Sequence, residues 1–145
     1  MRARLSGFFV PLMMMVAIAF AAHAGAASPA PAQSNADAAK YVGTWTGTWD
    51  GAGTGGFELT LEKNADGAPA GKVSVTGEPT YKATLKKVSF DGAKMSGLYD
   101  FPPDDRVEIV LAATFEGNTA KGTWTARSKD NGSDVATGGW TVKKQ

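Results

Sequence analysis

From residue 41 to its C-terminal end the chain alternates apolar and polar positions with period two, the repeat of a strand with one buried face. The first run puts Tyr41, Gly43, Trp45, Gly47 and Trp49 on one face and Thr44, Thr46 and Thr48 on the other. The second alternates Phe57, Leu59 and Leu61 with Glu58, Thr60 and Glu62, and the third alternates Val73 and Val75 with Lys72, Ser74 and Thr76. Later runs carry Met95, Gly97, Tyr99 and Phe101, then Val107, Ile109, Leu111, Ala113 and Phe115. The last two carry Gly122, Trp124 and Ala126, then Gly138, Trp140 and Val142, with Thr123, Thr125, Thr137 and Thr141 opposite. Together with the fourth run, this pattern predicts eight strands. In that fourth run Tyr81, Ala83 and Leu85 hold odd positions while Val88 and Phe90 hold even ones. The change of phase at Lys86-Lys87 predicts a β-bulge.

Turn residues suggest how the strands pair, because opposed residues of a hairpin share a face. Apolar-on-apolar pairing puts Trp49 opposite Phe57, Leu61 opposite Val73, Phe101 opposite Val107, Leu111 opposite Trp124, and Trp124 opposite Trp140. Gly117-Asn118 is a two-residue hairpin signal, as is Asp91-Gly92. With one extra residue at Lys86-Lys87, the ladder from Asp91-Gly92 pairs Ala83 with Tyr99 and Tyr81 with Phe101. Consecutive antiparallel strands with short turns form a meander, and closing it removes exposed edges. The expected fold is all-β: an eight-stranded antiparallel up-and-down barrel, closed by the last strand on the first. A two-sheet β-sandwich is the alternative. An apolar inside and a polar outside reverse the pattern of an outer-membrane barrel.

The residues before the strands read differently. Arg2 and Arg4 precede an apolar run from Phe8 to Ala22, followed by small-x-small steps at Ala22-His23-Ala24 and Ala24-Gly25-Ala26. That is the form of a secretory signal, expected over 1–26, and the run is shorter than the roughly 20 residues a membrane span needs. Export would place the mature protein in the periplasm or outside the cell, with no membrane span. Residues 27–40 are Ala, Pro, Ser, Gln and Asn with little else, which predicts a flexible tether. The strands at 41–145 then form a single domain.

Composition narrows the chemistry. The 145 residues include no Cys and one His, and that His23 falls in the expected signal. The mature chain then lacks a thiol nucleophile, a thiolate metal site, and imidazole as a general base. The full chain carries a net charge of +1. Loss of Arg2 and Arg4 leaves the mature chain almost neutral, without the basic excess that phosphate contacts with nucleic acid require.

Gly43-Thr44-Trp45 resembles the Gly-x-Trp opening of lipocalin and avidin barrels. Gly122-Thr123-Trp124 and Gly139-Trp140 are similar to the later Trp strands of avidin-like proteins. Gly47 stands where the avidin-like pattern has a polar residue that holds the ureido group of biotin, which argues against biotin as ligand. The run Gly43 to Gly47 also resembles the G-x-W-x-G opening of small secreted bacterial β-domains of unknown function. That resemblance implies a secreted, non-catalytic domain and supplies no site residues.

The inward positions hold ten aromatic residues: Trp45, Trp49, Phe57, Tyr81, Phe90, Tyr99, Phe101, Phe115, Trp124 and Trp140. An eight-stranded barrel has room to be filled by side chains or to hold one small ligand. Two readings stay open: a packed core, and a small apolar pocket at one mouth. For the pocket the expected ligand-binding residues are Trp49, Trp45 and Tyr99, with Trp49 exposed at the loop end of the first strand and Trp124 and Trp140 in the core. The ligand would be a small apolar molecule or a partner protein surface. Asp100, Asp104 and Asp105, and Asp130 with Asp134, are carboxylates on turns, where Asp is an ordinary turn former. Lys82, Lys86 and Lys87 read as solvated lysines at an edge or bulge. Glu58, Glu62 and Glu108 face solvent, the wrong side for an acid–base pair in a cleft. No catalytic residue, metal or cofactor is expected. The competing readings are a solid-cored structural or interaction domain and, last, a hydrolytic enzyme.

Overall fold

The computed structural model describes residues 37–145. The expected signal segment at 1–26, and 27–36 of the expected tether, lie outside the described residues. Nine strands follow in order: β1 (Gly43–Asp50), β2 (Thr54–Lys63), β3 (Pro69–Val75), β4 (Tyr81–Thr84), β5 (Lys87–Asp91), β6 (Lys94–Asp100), β7 (Val107–Glu116), β8 (Thr119–Ser128) and β9 (Asp134–Lys144). They form one antiparallel sheet with the order β4-β3-β2-β1-β9-β8-β7-β6-β5. The all-β meander holds, and the first and last strands pair, with Trp49 opposite Trp140.

The sheet is a curled, open half-barrel whose two edges are β4 and β5. Here the expected fourth strand is two strands, so the count is nine and not eight. β4 pairs with β3, matching Val73 with Ala83 and Val75 with Tyr81. β5 pairs with β6, matching Phe90 with Met95 and Asp91 with Lys94. The chain changes partner between them: Leu85 N–H donates to Gly71 O at 2.8 Å and Lys86 N–H to Leu98 O at 2.7 Å. The phase change at Lys86-Lys87 therefore marks a break and a crossing, in place of the expected bulge. No ladder joins Tyr81 or Ala83 to β6, and Gly92-Ala93 replaces Asp91-Gly92 as the turn.

The outward and inward faces follow the alternation. Trp45, Phe57, Leu59, Leu61, Val73, Val75, Phe90, Met95, Tyr99, Ile109, Leu111, Phe115, Trp140 and Val142 are all buried, and among the described residues no polar or charged residue is. Two hairpins have the expected register, with Tyr99 opposite Ile109 and Leu111 opposite Trp124. Three are displaced by one pleat repeat, which keeps every side chain on its face. Trp49 meets Gly55 instead of Phe57, Leu61 meets Gly71 instead of Val73, and Trp124 meets Gly138 instead of Trp140.

Part of the expected tether belongs to the domain. Residues 37–40 form a helical turn, with Ala38 only 3% exposed in the core. Asp37 Oδ2 accepts the Gly92 N–H at 3.0 Å, and Tyr41 N–H donates to Ala38 O at 3.0 Å. Tyr41 then stacks on Phe90 at 5.1 Å between ring centres and lies 4.6 Å from Phe115. This aromatic plug fills the end of the half-barrel where β1 begins. Among the described residues no helix is long and apolar enough to cross a membrane.

Candidate functional site

The opposite end, reached by the C-terminal end of β1, holds a cavity of about 270 Å³. Its walls are the inward side chains of the upper sheet: Trp49, Phe57, Val75, Tyr81, Tyr99, Phe101, Ile109 and Trp124. Ala52, Glu78, Pro79, Asp104 and Val135 come from or beside the loops at this end. Val135, on the rim, is 59% exposed.

Two tryptophans build the wall by the same device. Trp49 lies across the ladder from Gly55, and its indole N–H donates to Thr76 O at 3.0 Å. Trp124 lies across from Gly138, and its indole N–H donates to Asp50 O at 2.8 Å. In each case the glycine is the space the ring needs. A Cβ at Gly55 would stand 1.8 Å from Thr76 O and 2.7 Å from the Trp49 indole nitrogen; at Gly138 it would stand 1.9 Å from Asp50 O and 2.6 Å from that of Trp124. The rings of Trp49 and Trp124 meet edge to face at 6.0 Å and 82°. Both N–H groups are taken by the backbone, so the rings offer the cavity carbon surface.

Tyr81 of β4 and Tyr99 of β6 supply a polar pair across the open seam of the sheet. Their hydroxyls lie 2.9 Å apart, and either oxygen can be the donor. Burial pushes both phenols above the ordinary value near 10.0. The neighbouring Tyr81 adds to the rise at Tyr99, whereas the hydrogen bond between the two hydroxyls offsets part of it at Tyr81. Tyr81 also meets Phe101 edge to face at 5.3 Å.

Two carboxylates near this end are engaged. Asp104 accepts from Arg106 Nε at 3.2 Å and from its backbone N–H at 3.0 Å; those bonds hold its carboxyl below its ordinary value. Asp100 sits between Lys129 at 2.7 Å and Lys86 at 3.1 Å, and the bonds to Lys129 and then Lys86 lower it likewise. Asn131 accepts the backbone N–H of Ser133 at 3.0 Å, an ordinary turn bond. Among the described residues no three His, Cys, Asp or Glu side chains are grouped as a metal site requires.

Of the expected site residues, the cavity brings together Trp49 and Tyr99. Trp45 lies at the other end, 0% exposed, with its indole N–H on Tyr41 O at 2.9 Å and its ring edge-to-face with Phe115. The expected exposures of two tryptophans are exchanged. Trp49 is buried at 9%, because the Thr76 carbonyl draws its ring over Gly55. Trp124, expected in the core, is half-buried at the mouth. Alternation places Tyr81 and Phe101 on the inward face but does not single them out for the site. The signal for them lay in the phase change: it brings the strand holding Tyr81 against the other edge of the sheet. No family model, curated protein or solved structure matches this chain.

Proposed function

We propose that this chain is a non-catalytic β-barrel module, exported by the leader at 1–26 to the periplasm or beyond, that binds a small apolar ligand in the cavity at the Trp49 end. The observation that carries this reading is the roughly 270 Å³ of space between apolar walls, open at a rim that displays Val135. Ligand sites usually span about 300–1,000 Å³ with a few placed polar groups, so the space suits the smallest ligands of that class. A cavity of about 150 Å³ already holds benzene.

The test is a titration of the full chain with naphthalene, followed by quenching of Trp49 and Trp124 emission. Saturable quenching is expected. Ala136→Phe, which puts a ring into the cavity wall from β9, should abolish it while the chain stays folded. Absence of saturable binding, or binding untouched by Ala136→Phe, would instead make the chain a structural or interaction domain that works through its outer surface.

A further inference from the structure

The Tyr81–Tyr99 pair says what kind of apolar molecule the cavity suits, an inference that rests on the binding reading above. Two phenols carry two protons. One is used in their mutual bond of 2.9 Å. The phenol that accepts that bond keeps its own proton, and among the described residues each hydroxyl has only the other as partner. An O–H held in an apolar wall gains from any acceptor that enters, because a donor without a partner in such a place is costly. Burial keeps both phenols protonated well past neutrality, so the donor is present at every physiological pH.

Charge selects in the same direction. No Lys, Arg or His stands among the residues that line the cavity. A carboxylate ligand would lose its hydration there with no cation to meet it. Asp104 is engaged by Arg106, and Glu78 is exposed at the mouth. The walls are ring faces and edges from Trp49, Phe57, Phe101 and Trp124, which favour a flat, rigid partner. The space is close to twice that of a benzene-sized cavity.

We infer that the cavity takes a neutral, planar molecule of roughly two fused rings bearing one hydrogen-bond-accepting oxygen, and that this oxygen accepts from the Tyr81–Tyr99 hydroxyl pair.

Equilibrium dialysis of the full chain against 2-acetylnaphthalene, 2-isopropylnaphthalene and 2-naphthoate tests this. The ketone should bind roughly 3- to 10-fold more tightly than the hydrocarbon of the same shape, the range one net hydrogen bond supplies. The naphthoate should bind most weakly. In Tyr81→Phe/Tyr99→Phe the preference for the ketone over the hydrocarbon should be lost. Replacing both partners leaves neither hydroxyl stranded, so the fold is retained; a melting curve verifies it. In the wild-type chain, the carbonyl stretch of bound 2-acetylnaphthalene should move to lower wavenumber, an observation that needs no variant. Equal binding of ketone and hydrocarbon, a preference that survives in the double variant, an unshifted carbonyl, or naphthoate as the tightest ligand would each overturn the inference while leaving apolar binding intact. Failure of all three probes to bind would instead overturn the binding function itself.

Discussion

At the residue scale the organising feature is tryptophan facing glycine. Three of the four tryptophans do so: Trp49 across from Gly55, Trp124 across from Gly138, and Trp140 across from Gly122. Each of these indoles has a large apolar neighbour on one side, Trp140 beside Trp49 and Leu111 beside Trp124, and a glycine on the other. Opposite a glycine an indole can lie over the neighbouring strand: Trp49 and Trp124 spend their N–H on a carbonyl beyond it, and Trp140 on Thr123 O of the facing strand. Gly55→Ala and Gly138→Ala should each cost about 1–3 kcal/mol, the usual penalty of overpacking, in urea unfolding followed by circular dichroism. Gly97→Ala is the contrast, since its Cβ would meet only ordinary contacts from 3.5 Å. That change should be neutral or stabilising by up to about 1 kcal/mol. The tyrosine pair carries a pH effect. A phenol raised above its unfolded value near 10.0 keeps its proton after the unfolded chain has begun to lose it. The unfolded state then binds fewer protons, and stability falls as pH rises above that value. Thermal melts across the alkaline range should show a steeper loss for the wild-type chain than for Tyr81→Phe/Tyr99→Phe.

At the element scale, the hairpins show which registers were legible. Between β6 and β7, and between β7 and β8, large apolar residues occupy both strands, and Gly117-Asn118 sets one turn. The expected registers are the observed ones there. Around Gly55, Gly71 and Gly138 a strand presents glycine at an inward position. Two registers one pleat repeat apart then bury the same faces, and alternation does not choose between them. The fit of an indole over Gly55 and over Gly138 chooses at two of them, and at Gly71 the side chains of Leu85 and Leu61 take the space. The turn at 37–40 was illegible for another reason: its composition is that of a linker, and a single small side chain, Ala38, is what it buries. Ala38→Asp would set a carboxylate in the core beside the aromatic plug. It should lower the melting temperature by several degrees, whereas Ala39→Asp, on an exposed position of the same turn, should leave it nearly unchanged. Equal melting temperatures for the two variants would show that the turn contributes nothing to the domain.

At the scale of the whole molecule the seam between β4 and β5 decides the shape. Leu85 sits in it, buried at 7%, facing two glycines from β3 and β6, the strands next to the two edges. Its Cδ1 lies 2.6 Å from where a Cβ of Gly71 would stand, and its Cδ2 3.5 Å from that of Gly97. One side chain thus fills the place where the two edges approach without a ladder. Leu85→Ala should cost about 2–5 kcal/mol, as other buried leucines do, measured by denaturant unfolding. The alternation of residues 41–145 determined by itself that the chain is an antiparallel all-β meander, which side chains face inward, and that something happens at Lys86-Lys87. Those are local properties, because a strand's period and a turn's chemistry are written in neighbouring residues. Only the tertiary structure decided that the phase change is a crossing between two sheet edges, that Trp124 and not Trp49 is the wetter ring, and that one end is plugged while the other keeps a cavity. Each depends on groups far apart in the chain: Trp49 on Thr76, Trp124 on Asp50, Tyr81 on Tyr99, Asp37 on Gly92. A period of two places a side chain on a face, but the carbonyl or ring it meets there comes from another strand.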